Sequence, residues 1–222
     1  MPKAENVRED KQIKLFGLAE SYVNAKGKVC KFGRGNGYKP DARFADLVLP
    51  DLGFDWFTEL KTWRNDKRSI SSSRDTHLKK IADWKSVPFW IFSQYDKNDP
   101  RRLLGTHYAM TADDMDPFVT GLALRKILEG GTKQIGLNAY NEKIRPAILA
   151  DENAAPLIEI MDMTMKQHGT KQNDQKISLL LLEQHGKLVT SQEEVVEYFT
   201  NWIEDNDEAD LASRFAHPSW VR

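Results

Sequence analysis

The five residues Pro88-Phe89-Trp90-Ile91-Phe92 carry no charged or hydrogen-bonding group beyond one indole, and alternating burial cannot produce such a run. It fits a strand covered on both faces, the environment that helices create when they pack on a partly parallel sheet. Upstream, Asp75 or Thr76 can cap a helix carrying Leu78, Ile81, Ala82 and Trp84. Before that helix, Phe54 to Trp63 is rich in aromatic and β-favouring residues and reads as another strand. Strand, helix and buried strand together make a right-handed β-α-β unit. That unit places the chain in the α/β class.

The flanking elements extend this core. Lys11 to Ala25 reads as a helix, with Ile13, Phe16, Gly17, Glu20 and Val23 at helical spacing and Gly27 as its stop. Val29 to Phe32 is a short strand, and the glycines at 33, 35 and 37 make a loop. Arg43 to Leu49 is a strand, followed by turn chemistry at Pro50-Asp51-Leu52-Gly53. Asn65 to Ser73 is polar and reads as a loop, and Leu103 to Met110 as a strand. Helices are expected at Asp116–Glu129 with Pro117 in its first position, at Ala154–His168, Ile177–His185 and Ser191–Glu204. His168 to Asp174 reads as a linker. The expectation is a mixed central β-sheet flanked by helices over residues 1–110. Residues 111–222 form a mostly helical extension, packed on the core or making dimer contacts. Trp56, Trp84 and Trp90 read as core, and His107 as a core histidine with a satisfied ring.

With 222 residues and 40% hydrophobic content, the chain can bury a substantial core. The formal net charge of -1 hides a segregated distribution. Lys26 to Arg43 holds six basic residues against the single acid Asp41, whereas Glu193 to Asp210 is wholly acidic. A basic face suits a polyanionic partner. One cysteine, Cys30, excludes an internal disulfide, and no Cys/His cluster has zinc spacing. The charged N-terminus lacks a signal-peptide apolar region, and the longest wholly aliphatic run is Leu179 to Leu182. The expectation is a cytoplasmic protein with no membrane partner.

Side chains alternate along a strand, so Glu59 and Lys61 share a face. A hairpin closing symmetrically about Asp51 and Leu52 pairs Glu59 with Phe44 and leaves Asp46 one diagonal step away, about 7–8 Å between backbones. Asp41 then falls on the opposite face, unless a bulge reverses it. Asp46 is therefore favoured over Asp41 as the companion of Glu59. Desolvating two acids and a lysine costs several kcal/mol per group, about as much as an ion loses on burial. A divalent cation and a phosphate would offset that cost. An ordinary ion-paired hairpin has the same letters, but here the triplet lies between two basic segments and precedes a crossover helix.

These residues resemble the PD-(D/E)XK nuclease superfamily. The matching parts are Phe44-Ala45-Asp46-Leu47-Val48-Leu49 and Phe57-Thr58-Glu59-Leu60-Lys61, followed by the helix and the buried strand, within residues 11–110. The resemblance implies a restriction-endonuclease-like core and Mg²⁺-dependent hydrolysis of phosphodiesters in double-stranded DNA, with Mn²⁺ able to substitute. Asp46, Glu59 and the Leu60 carbonyl would hold the metal, and Lys61 would assist the attacking water. Such nucleases often carry a Glu on the first helix, and Glu20 would fill that role. The literal Pro40-Asp41 pair is a departure, since it is separate from the favoured Asp46. No Gln-x-x-x-Tyr follows Lys61, which points away from the RecB-type branch and toward a site-specific restriction-type homodimer. A junction-resolvase type of nuclease and a non-catalytic nucleic-acid-binding module are the alternatives. DNA contacts are expected from Arg34, Asn36, Lys39 and Arg43 around the glycine loop. Arg64, Lys67, Arg68, Ser71 and Arg74 are expected to contribute from a mobile loop that orders on DNA. Leu179 to Trp202 is faintly similar to a helix-turn-helix, but the acidic second helix would be repelled by DNA.

Overall fold

A computed structural model describes residues 2–23, 26–33, 41–44, 56–73, 83–128, 140–152, 155, 158 and 175–215. The first element is helix α1 (Ala4–Leu15). Short strands β1 (Leu18–Ala19), β2 (Ser21–Val23), β3 (Val29–Lys31) and β4 (Ala42–Phe44) follow. Then come β5 (Phe57–Arg64), β6 (Ser69–Ser73), β7 (Phe89–Tyr95) and β8 (Leu103–Thr111). Helix α2 (Ala112–Leu128), a π-helical turn (Tyr140–Ile144) and α3 (Arg145–Leu149) precede β9 (Gln175–Ser178). The chain continues through α4 (Leu179–His185), β10 (Lys187–Val189), α5 (Gln192–Glu204) and α6 (Glu208–Phe215).

The architecture is mixed α/β, as the buried apolar run predicts. A curled six-stranded sheet has the order β1-β4-β5-β7-β8-β10. Strands β5 and β7 are parallel, and the other neighbouring pairs are antiparallel. Alternate residues of β7 feed two cores: Phe89 and Ile91 join one, Trp90 and Phe92 the other. Both cores draw on the C-terminal part, through Leu181 and Leu182 of α4 on one side and Phe199 and Phe215 on the other. Strand β10 adds an edge to the sheet beside β8.

Several boundaries differ from the sequence expectation. The first helix runs from Ala4 to Leu15, not from Lys11 to Ala25. Gly17 has φ 63°, and a Cβ there would lie 2.3 Å from the Gln192 side chain, so the chain leaves the helix at a position only glycine fills. Residues 69–73 form strand β6, paired with β9, where a polar loop is expected. Ile70 is 1% exposed and pairs with Ile177, a partner more than one hundred residues away that no local pattern announces. Helix α2 begins at Ala112, because the Thr111 N–H donates to the Asp114 carboxylate as an N-cap pair at 2.7 Å. Pro117 therefore lies inside the helix rather than at its start. Helix α5 matches its expected span, with Ser191 accepting from the Glu194 N–H. Strand β10 separates α4 from α5, whose Val195 and Phe199 are buried, so the pair is not a helix-turn-helix. The expected helices at 74–85 and 154–168 and the 168–174 linker lie largely outside the described residues. Among the described residues no helix is long and apolar enough to cross a membrane.

Candidate active site

Strand β5 carries the two charged residues on one face. Glu59 is 2% exposed and lies beside Trp90 of β7 in the parallel register. Lys61 lies beside Phe92, and its ammonium donates to the Glu59 carboxylate. Burial alone pulls the Lys61 ammonium down, but the Glu59 and Asp41 carboxylates outweigh it and hold the group above its usual range.

The third member is Asp41. Observed pairs between β4 and β5 are Ala42 with Thr58 and Arg43 with Phe57. This register differs by three positions from the symmetric hairpin about Asp51 and Leu52. An odd shift exchanges the two faces of a strand. It brings Asp41 opposite Glu59 and removes the parity argument against it. The Asp41 N–H donates to the Thr58 carbonyl at 3.1 Å, and the Asp41 carboxylate accepts from the Leu60 N–H at 2.9 Å. That second bond draws the acid to the middle of β5. Burial raises the Asp41 carboxyl well above the usual carboxylate range, and the Glu59 charge adds to the effect. Lys61 and the Leu60 N–H oppose the rise without cancelling it. Asp46 lies outside the described residues.

Helix α1 supplies a fourth group, but not the expected one. Glu20 is exposed at the bend between β1 and β2, where its carbonyl accepts from the Phe32 N–H at 3.3 Å. It is not on a helix. The carboxylate that approaches from α1 is Glu9, whose charge adds to the rise at Asp41. Gly33 makes this approach possible. Its φ is 61°, and a Cβ there would stand 2.8 Å from Asp41 Oδ1 and 3.4 Å from Glu9 Oε1. Glu5, one turn earlier, is close enough to support the Lys61 charge. Gln12 ties this helix to the strand, donating to the Lys61 carbonyl at 3.2 Å and to Ser93 Oγ at 2.9 Å. Glu5, Glu9 and Gln12 recur at helical spacing, and that stripe was the available signal.

Among the described residues, no three Asp, Glu, His or Cys side chains converge closely enough to cage a metal by themselves. A divalent ion here would be held by Asp41 and Glu59, with further ligands from backbone and solvent. The donor set fits such an ion: both groups offer hard oxygen atoms. Burial first, and then the Glu59 charge, raise the Asp41 carboxyl, and a cation would offset both.

The expected DNA-contacting residues divide. Arg43 is half-buried on β4, facing the side of the sheet that holds Phe57. Arg64 pairs with Asp66 at 2.5 Å on the surface. Arg68 makes a two-pronged surface bond to Glu183 of α4 at 3.0 and 2.9 Å, just before strand β6. Lys67 is exposed, and Ser71 lies within β6 opposite Lys176. Arg34, Asn36, Lys39 and Arg74 lie outside the described residues. His107 is a satisfied core histidine, with Nδ1 at 2.8 Å from Ser93 Oγ, and burial lowers its pKa. The chain matches no protein-family model, and no curated protein matches it.

Proposed function

We propose that the chain is a Mg²⁺-dependent endonuclease of the PD-(D/E)XK kind, cutting double-stranded DNA as a restriction-type homodimer. One observation carries the reading: Asp41, Glu59 and Lys61 converge at the middle of β5, with Glu59 2% exposed and the Asp41 carboxyl raised by burial and by its neighbour. A fold retains such a cluster at a cost of about several kcal/mol per desolvated ion. A cation and a phosphate would complete its charge balance.

In this reading Asp41 and Glu59 bind the ion. When bound, Mg²⁺ or Mn²⁺ would supply Lewis-acid polarisation of the scissile phosphate and a more acidic water. Lys61 would donate to a non-bridging phosphate oxygen and offset charge that builds during displacement. Glu9 orients water on the α1 side. The buried setting strengthens each of these contacts by lowering the local dielectric.

The test is incubation of plasmid with the protein and Mg²⁺ or Mn²⁺, beside Glu59→Ala and Lys61→Ala. Discrete fragments that both variants fail to produce support the proposal. Preference for branched over linear duplex would assign a junction-resolvase type instead. Metal-independent duplex binding with no cleavage of any nucleic acid would assign a non-catalytic module.

A further inference from the structure

We propose that the β2–β3 ribbon docks in a groove of duplex DNA beside the candidate active site. The choice of partner rests on the nuclease reading above. The two strands form a separate two-stranded sheet, outside the six-stranded one, with Ser21, Tyr22 and Val23 opposite Lys31, Cys30 and Val29. Its base is anchored. Phe32 is 2% exposed, packs edge-on against Phe57 of β5 at 5.9 Å, and donates its N–H to the Glu20 carbonyl. Its far end is not buried: Val23 is 51% exposed and Val29 66%.

Three features point to a polyanion with apolar edges. Lys26, Lys28 and Lys31 are all exposed, and no acid occurs from Ser21 to Gly33. Val23 and Val29 are direct cross-strand partners, so they share one face and present a single apolar patch amid the lysines. Phosphates suit the lysines, and thymine methyl groups or base steps suit the valines. A two-stranded ribbon also fits the major groove, which is about 12 Å wide.

Position completes the argument. Gly33, two residues beyond β3, is the glycine against which Asp41 and Glu9 pack. At a rise of about 3.3 Å per residue, Gly27 lies at most about 20 Å from Gly33. Ten base pairs span about 34 Å, so the ribbon would meet the duplex within about six base pairs of the scissile phosphate.

The experiment measures equilibrium binding in EDTA, where no metal-dependent cleavage occurs, with the full chain and a 24-base-pair duplex. Lys26→Glu/Lys28→Glu is compared with wild type across a salt series, and Lys26→Ala/Lys28→Ala serves as a milder pair. Unchanged circular dichroism and thermal midpoint verify the fold. The expected result is at least a tenfold loss of duplex affinity. The slope of log affinity against log salt should fall by about two, near one unit per lost phosphate contact. Val29→Ser should weaken binding several-fold with the slope unchanged. Duplex affinity equal to wild type in both lysine pairs overturns the proposal. So does an equal loss for single-stranded DNA or for phosphatidylserine vesicles, because then the ribbon is only a basic surface. Cleavage with an unaffected ribbon leaves the nuclease reading standing alone. Ribbon-dependent binding by a chain that never cleaves leaves the docking surface standing without it.

Discussion

Strands β5 and β7 run parallel and side by side, in register from Thr58 with Phe89 to Arg64 with Tyr95. They occupy similar depths with opposite chemistry. Phe89, Trp90, Ile91 and Phe92 are fully buried and apolar, while the register partners of Trp90 and Phe92 are Glu59 and Lys61. The apolar strand needs nothing but packing. The charged strand is held by a ring of groups from elsewhere: Asp41 before β4, Glu9, Glu5 and Gln12 on α1. The contrast separates residues that build the sheet from residues that the sheet carries.

The sharpest way to break this contrast is to make β5 resemble β7. Glu59→Leu with Lys61→Met should abolish cleavage, a loss of at least about 10²-fold, since one stabilising donor alone is often worth that. Stability should stay level or rise by about 1–4 kcal/mol, because apolar replacement of a whole buried pair removes its desolvation cost. Urea titration and plasmid assays on the same sample check both halves. Marked destabilisation by the double change would mean that the pair serves the fold. The reciprocal change in β7, Trp90→Ala, should cost about 3–5 kcal/mol in the same titration.

Gly33→Ala tests the cradle in which Asp41 and Glu9 meet beside the charged strand. A side chain at φ 61° and 2.8 Å from Asp41 Oδ1 is strained in backbone and in contact. About 1–3 kcal/mol of destabilisation is expected, with cleavage lowered beyond what stability explains. A stable, fully active variant would remove Glu9 and Asp41 from the site.

A smaller effect is expected with pH. The folded Asp41 carboxyl titrates above its unfolded value, so its contribution to stability is fully present below about pH 3.9 and is lost as pH rises through the folded value. Asp41→Asn should therefore match wild type in acid and exceed its thermal midpoint increasingly toward neutral pH, measured without divalent ions. Lys61 is also raised, so its contribution persists through neutral pH and disappears only in alkali, above about pH 10.4. Saturating Mg²⁺ should raise the wild-type midpoint and leave Asp41→Asn less affected, because only an ion bound by the folded state stabilises it. Smallest of all, Arg68→Ala should leave the midpoint unchanged within error, since its pair with Glu183 is solvent-exposed.

Much of the frame is legible in the chain alone. The apolar run at 88–92 identifies β7, strand alternation puts Glu59 and Lys61 on one face, and Ser191 with Glu194 marks the start of α5. These are local patterns, and period and capping report them directly. The site is less legible. Asp41 stands beside Glu59, because the register is three positions away from a symmetric hairpin, while Asp46 lies outside the described residues. Glu9 rather than Glu20 approaches it, because α1 ends at Leu15. Strand β6 exists because β9 reaches it from the far end of the chain. Sequence by itself determined that the 88–92 strand is buried and that Glu59 and Lys61 share a face. Tertiary structure decided which charges meet. The physical reason is that burial periodicity is set within a few residues, whereas register is set by cross-strand contacts, and an odd shift exchanges every side chain between faces.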